Sequence, residues 1–205
     1  MLEKIVRDFT LIWATIDPIG NLAIFSGLTA SLDRQERRRV ARRASIYAAV
    51  ILVVAVVLGQ IILDAMGIRV LSLQVAGGII LFLFALKMLF GSMDQEPASR
   101  EPGHDIAVFP IAVPAIAGPG AIMGVILLTD NDVYTIPQQA ETTVVLLVVL
   151  ALNYLLLRAS EGILRVIGRQ GAAILVRVMG ILLAALSVEL VMKALSIGSW
   201  ATPKA

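Results

Sequence analysis

The residues in this chain that could do chemistry are few, and they cluster at two proline/glycine breaks. Asp17-Pro18-Ile19-Gly20-Asn21 sets a carboxyl and a carboxamide on either side of a Pro/Gly pair. Proline lacks an N–H and clashes with the preceding turn, so a regular helix cannot pass through Pro18 undisturbed. Asp before Pro is instead a good helix start, with Asp17 as N-cap and Pro18 as the first helical residue. Gly118-Pro119-Gly120 repeats the arrangement without the acid. Here Gly118 is the expected cap, Pro119 the first helical residue, and Gly120 permits close backbone approach. The N-terminus of a half-helix has free N–H groups and positive dipole character, which suits an anionic group such as a substrate carboxylate. Asp17 could accept a substrate ammonium group or carry a proton. Asp17, Pro18, Gly20, Asn21, Gly118, Pro119 and Gly120 are therefore the candidate site for a solute or its pathway.

Other chemistries lack their residues. There is no cysteine, hence no disulfide, thiolate metal site or catalytic thiol, and the single His104 lies in a hydrophilic segment. An intramembrane metalloprotease needs a histidine pair with a carboxylate, and a Gly-x-Ser-x-Gly elbow is absent. Asp17 is the one carboxyl expected deep in a span, so an aspartyl dyad has no partner. The sequence thus predicts no catalytic residue, no metal, no cofactor and no enzyme activity.

The elements that must position Asp17 and its neighbours are membrane spans. Hydrophobic residues make up 59% of the 205 and charged residues 16%, too much apolar surface for a soluble domain of this size to hide. About 20 helical residues cross about 30 Å of hydrocarbon. Between Phe9 and Leu32 the only charge is Asp17, which makes span one, and a dense basic loop from Asp33 to Arg43 follows. Ala44 to Leu63 is span two. The short turn Asp64 to Arg69 predicts that spans two and three are antiparallel neighbours. Val70 to about Phe90 is span three. Gly91 to Asp105, with Pro97 and Pro102, is the longest polar stretch. Ile106 to Thr129 is uncharged but holds Pro110, Pro114, Gly118, Pro119 and Gly120, a broken span four. Thr142 to Leu157 is span five, the shortest, and a second basic loop holds Arg158, Glu161, Arg165 and Arg169. About Ala172 to Ile197 is span six. The N-terminus, with Lys4 and Arg7 offset by Glu3 and Asp8 and no small-residue cleavage site, is the start of span one rather than a signal peptide.

The formal charge of +2 does not point to nucleic acid, because the basic residues sit between apolar blocks. Nine arginines fall in the two basic loops, against mainly Lys4, Arg7, Arg69 and Lys204 on the opposite face. The positive-inside rule places those loops in the cytoplasm and both termini outside. Three spans per half makes the second half enter the membrane from the opposite side, the arrangement of an inverted repeat with a site near the midplane. The expected fold is an all-α membrane protein of six helices in two inverted three-helix repeats. Residues 1–91 form the first repeat, 92–105 a polar linker and 106–205 the second. Thr15 to Thr29 can be laid over Ala115 to Thr129, with Ile16/Ile116, Gly20/Gly120, Leu28/Leu128 and Thr29/Thr129 coinciding, although Pro18 and Pro119 align only after a one-residue shift.

The remaining polar residues read as structural. Glu189 and Lys193 stand i, i+4 on span six in the favourable order for an ion pair. Lys87 can snorkel. Gln74 and Asn153 suit interhelical hydrogen bonds, and the small residues Gly77, Gly78, Gly180 and Ala184 suit close helix packing. The arginines 34 to 43 are chiefly a topology signal, with anionic lipid contact a secondary role.

Asp17-Pro-Ile-Gly-Asn21, Val75-Ala-Gly-Gly-Ile-Ile-Leu81 and Phe109-Pro-Ile-Ala-Val-Pro-Ala-Ile-Ala-Gly-Pro-Gly-Ala-Ile122 resemble the MarC family across essentially the whole chain. This resemblance implies a six-span inner-membrane protein of bacteria or archaea, grouped with small neutral amino acid transporters. It supplies no binding residues to carry over, and the antibiotic resistance in the family's name is not inherited. The function expected is a secondary transporter or exporter of a small solute by alternating access, with a proton or cation coupled at Asp17. A channel, or a structural membrane protein without carrier activity, is the alternative. Membrane lipids are expected partners, nucleic acid is not, and a homo-oligomer is left open.

Overall fold

The computed structural model describes residues 2–91 and 105–195. His104, most of the polar linker, Lys204 and the final residues of span six lie outside them. Every regular element among the described residues is helical: α1 (Leu2–Ile16), α2 (Pro18–Leu28), α3 (Arg34–Ala65), α4 (Val70–Phe90), the irregular α5 (Ala107–Ile116), α6 (Pro119–Leu128), then α7 (Ile136–Gly168) and α8 (Gln170–Ala194). By length and apolarity these make six spans. The joined α1–α2 and the pair α5–α6, bent by 53° at its break, count as one span each. The chain is an integral membrane protein with two interrupted spans, as the apolar blocks predict.

The ends of the helices follow from local sequence. Asp33 caps α3 through bonds from Gln35 N and Glu36 N, and Glu36 closes the capping box onto Asp33 N. At the start of α7, Gln138 Oε1 accepts from Thr135 N at 2.9 Å and from the Thr135 hydroxyl at 3.1 Å. Gly168, at φ 69° and ψ 170°, separates α7 from α8 in a backbone region open essentially to glycine alone.

Three expectations need correction. The two basic "loops" are helical: Arg34 to Arg43 lie on α3, and Arg158, Glu161 and Arg165 lie on α7. Arginine and glutamate are good helix formers, and Glu161 pairs with Arg165 one turn on at 3.0 Å. The helix therefore runs past the hydrocarbon boundary. For the same reason span five is not the shortest, since α7 is 33 residues long. Spans two and three do not pack as neighbours either, because α6 lies between α3 and α4. Gly59 of α3 abuts Ile126, and Gly77 of α4 abuts Met123 so closely that an added Cβ would lie 2.5 Å from its Cγ. A short connection dictates antiparallel order, not contact.

Burial sorts the spans into layers. In α1–α2 half of the best apolar window is buried, against a third or less in α3, α4, α7 and α8. α6 is buried along nearly its whole length. The outward faces of the four straight spans carry exposed Val50, Val54, Val57, Ile79, Leu83, Val144, Val148, Ile181 and Leu182. Such an apolar belt is costly in water and neutral against lipid tails. The two broken spans thus sit at the centre and the four straight ones face lipid.

Polar contacts collect at the two ends of the bundle. At one end Asp8 of α1, 1% exposed, is held by Lys4, by Arg7 at 3.3 Å and by the Thr142 hydroxyl at 2.7 Å. Nearby Gln60 donates to Asp130 at 3.2 Å and accepts from Asn131 N at 2.7 Å. At the other end Arg37 donates to the Ser160 hydroxyl at 3.4 Å, and Arg43 pairs with Asp105 at 2.6 Å. The expected Glu189–Lys193 pair forms at 3.3 Å, half exposed. Gln74 reaches the Leu190 carbonyl at 2.8 Å, the interhelical bond its position in span three predicts.

Candidate functional site

The first break is built from one residue in an unusual conformation. Asp17 has φ 49° and ψ 69°, left-handed backbone that costs most residues roughly 1–2 kcal/mol and that Asp tolerates better than most. Its carboxyl Oδ1 accepts from Gly20 N at 3.1 Å, so it caps α2, with Pro18 at the first helical position as expected. Its other oxygen, Oδ2, is buried and has no hydrogen-bond partner. Gly20 is required beneath it: a Cβ there would lie 2.0 Å from Asp17 Oδ2.

Asn21 stands one residue on, 4% exposed. Its Nδ2 donates to the Ile16 carbonyl at 2.7 Å, satisfying an acceptor that the break leaves open at the end of α1. The same nitrogen lies 3.4 Å from Asn153 Oδ1 on α7. Asn153 is fully buried and its own Nδ2 has no partner. The sequence reading treats Asn153 as an interhelical hydrogen bond, which it makes, but does not place it beside Asn21. No local signal links positions 132 residues apart. Only its polarity within an apolar span marked it.

The second break differs in chemistry. Phe109 and Val113 have extended dihedrals inside α5, which makes the stretch before the break irregular as Pro110 and Pro114 predict. Gly118 is the extended N-cap, Pro119 follows at the first helical position, and no side chain caps α6. A Cβ on Gly118 would meet the Pro114 carbonyl oxygen at 2.6 Å, and one on Gly120 would meet Leu81 Cδ1 at 2.7 Å. Backbone approach therefore demands glycine at 118, whereas at 120 the tip of Leu81 would have to yield.

The two broken spans cross. α1 packs on α6, and α2 packs on α5. A Cβ on Gly124 would come within 3.3 Å of the Thr15 hydroxyl, one position before the end of α1. The breaks are nevertheless offset along α4, because Gly20 faces Met88 while Gly120 faces Leu81. Those two side chains belong to positions seven residues apart on α4. Asp17, Pro18, Gly20 and Asn21 are thus buried together, with Asn153 beside Asn21, whereas at the second break Gly120 is buried, Gly118 half-buried and Pro119 exposed.

A sequence profile described as MarC family integral membrane protein matches residues 2–197. The chain belongs to the MarC family. A UPF0056 membrane protein of Archaeoglobus fulgidus is 39% identical over 95% of this MarC-family chain and 93% of its own length. One from Bacillus subtilis is 33% identical over 93% of each. The UPF0056 inner membrane protein YhgN of Escherichia coli K12 is 28% identical over 92% of this chain and 94% of its own. No solved structure matches.

Proposed function

We propose that this MarC-family protein is a secondary transporter or exporter of a small solute, in the class of small neutral amino acids, working by alternating access at the two breaks. The observation that carries the proposal is Asp17 Oδ2, a carboxyl oxygen buried without a partner at the interruption of a span half of whose apolar window is buried. An intramembrane carboxyl is costly to keep, and irregular backbone at this depth is tolerated where it is enclosed by protein or lines a cavity. Asp17 is suited to an ammonium group, a proton or a small cation. The uncapped N-terminus of α6 is suited to a carboxylate.

An inverted repeat is supported by the pattern of packing. Exchanging the halves maps the α1–α6 contact onto α5–α2, and the contact of span one with α7 onto that of span four with α3; the α4–α8 contact maps onto itself. Both half-helices end at a buried threonine whose hydroxyl bonds four residues back, Thr29 to Phe25 O and Thr129 to Val125 O, each at 2.7 Å. The one-residue misalignment of Pro18 and Pro119 is taken up inside the half-helices, which have 11 and 10 residues. The orientation that places both termini outside the cytoplasmic membrane rests on the arginines at one end of the bundle.

The test is flux in proteoliposomes. Saturable, gradient-dependent uptake of glycine or alanine is expected, with accelerated exchange when unlabelled solute is present on the far side. Asp17→Asn should abolish the gradient dependence while leaving the protein folded. No flux over a broad solute panel would overturn the proposal, and flux without counterflow would make the protein a channel. Single cysteines at Asn21, Ala115 and Ala121 should label in a manner that depends on solute or gradient, a clean measurement in a chain without native cysteine.

A further inference from the structure

Outside the breaks, among the described residues, five arginines gather at a cleft of about 250 Å³ between the start of α3 and the far end of α7. Arg34, Arg37 and Arg38 enter it from α3, and Arg158 and Arg165 from α7. On α3 these positions are i, i+3 and i+4, so they share one face, while Arg39 and Arg43 point to the other side. The lining holds a single carboxylate, Glu161, already engaged by Arg165 at 3.0 Å. Arg37 is half-buried and fixed on the hydroxyl of Ser160, itself 2% exposed. Arg34, Arg38 and Arg158 have no ion pair among the described residues. A topology signal needs basic residues only somewhere on the right side of the membrane. It does not require that arginines more than 115 positions apart converge on one concavity, where their mutual repulsion opposes folding.

We propose that this arginine cleft is a binding site for a phosphate-bearing anion. Guanidinium groups present paired N–H donors that match phosphate oxygens bidentately. The cleft holds five such groups and the Ser160 hydroxyl. A basic pocket between helices near the membrane surface takes a lipid headgroup as readily as a free phosphate, since the recognised chemistry is the same. The inference does not depend on transport.

The experiment compares two double variants that remove equal charge from the same segment. Arg34/Arg38→Gln removes two of the five arginines that line the cleft, and Arg39/Arg42→Gln removes two that do not line it. Purified protein is presented with phosphatidylglycerol or phosphatidylcholine and read by native mass spectrometry, and separately with inorganic phosphate at constant ionic strength, read by thermal shift. The expected result is retention of phosphatidylglycerol over phosphatidylcholine, weakened about tenfold or more by the cleft variant and little changed by the control. Stabilisation by inorganic phosphate without lipid preference, lost in the same variant, supports the site with a soluble ligand. Equal losses in the two variants would reduce the cleft to a diffuse basic belt, and no binding of either probe would overturn the proposal. Glu161→Gln, a mild exposed change, guards against misfolding. It removes the one acid in the lining, so binding should tighten several-fold, and unchanged or weaker binding in a folded protein would also overturn the proposal.

Discussion

The packing of Asp17 over Gly20 makes a quantitative prediction about a single methyl group. A Cβ at position 20 would sit 2.0 Å from Asp17 Oδ2, more than 1 Å inside contact distance, so Gly20→Ala must swing the carboxyl away. That motion breaks the bond from Gly20 N at 3.1 Å. Loss of an N-cap costs about 1 kcal/mol, and forcing the side chain off its rotamer about 1 kcal/mol more. Alanine in place of glycine returns roughly 0.5 kcal/mol of backbone entropy. The net expected loss is about 1.5 kcal/mol. With Asp17→Ala already present, there is no carboxyl to displace, and Gly20→Ala should become stabilising by roughly 0.5 kcal/mol. The coupling between the two positions is then about 2 kcal/mol, measurable in a double-mutant cycle. Unfolding of the four proteins in one detergent, followed by heat or by denaturant titration, supplies the numbers; a loss of 1.5 kcal/mol corresponds to a shift of about 3–6 °C. Equal cost of Gly20→Ala in both backgrounds would refute the cap geometry, as would a neutral Gly20→Ala in the otherwise unaltered protein.

Three further expectations follow from the same geometry. Asp8→Asn leaves Lys4 and Arg7 at a partly buried site without their carboxylate, so it should destabilise by about 3 kcal/mol. Adding Lys4→Met should restore part of that loss, and an unfolding titration that finds no restoration would show that the ion pair is not the cause. Gly77→Ala drives a methyl into Met123, whose flexible side chain can yield, so the cost should be about 1 kcal/mol, whereas Gly77→Val should cost about 3 kcal/mol or prevent folding. Expression and thermal unfolding of the pair distinguish the two. A cysteine at Asn131 should react with an impermeant reagent from one side of the membrane and a cysteine at Arg39 only from the other. Reaction of both from the same side would refute the alternating order of the spans.

Span number and the positions of both breaks were legible in the sequence because each depends on local chemistry. Long uncharged apolar runs have no alternative to the bilayer, and a proline preceded by Asp or Gly ends one helix and begins another whatever surrounds it. Pro18 and Pro119 accordingly head α2 and α6. Helix ends were less legible, because apolarity marks the membrane boundary while helix propensity and Glu161–Arg165 pairing carry α7 beyond it. Contacts between distant residues were not legible at all. Nothing near Asn153 announces that it meets Asn21, and nothing in the turn Asp64 to Arg69 reveals that α6 separates the helices it joins. The arginines read as a tally of charge became a cleft only when α3 and α7 came together. By itself the sequence determined that the chain crosses the membrane in about six helices and that two of them are broken at residues 17–18 and 118–119. The tertiary structure alone decided that the first break is buried with one carboxyl oxygen unpaired, while Pro119 at the second stays exposed. The physical reason is that breaks and spans are set by a few neighbouring residues, whereas burial is set by whatever the rest of the chain packs against them.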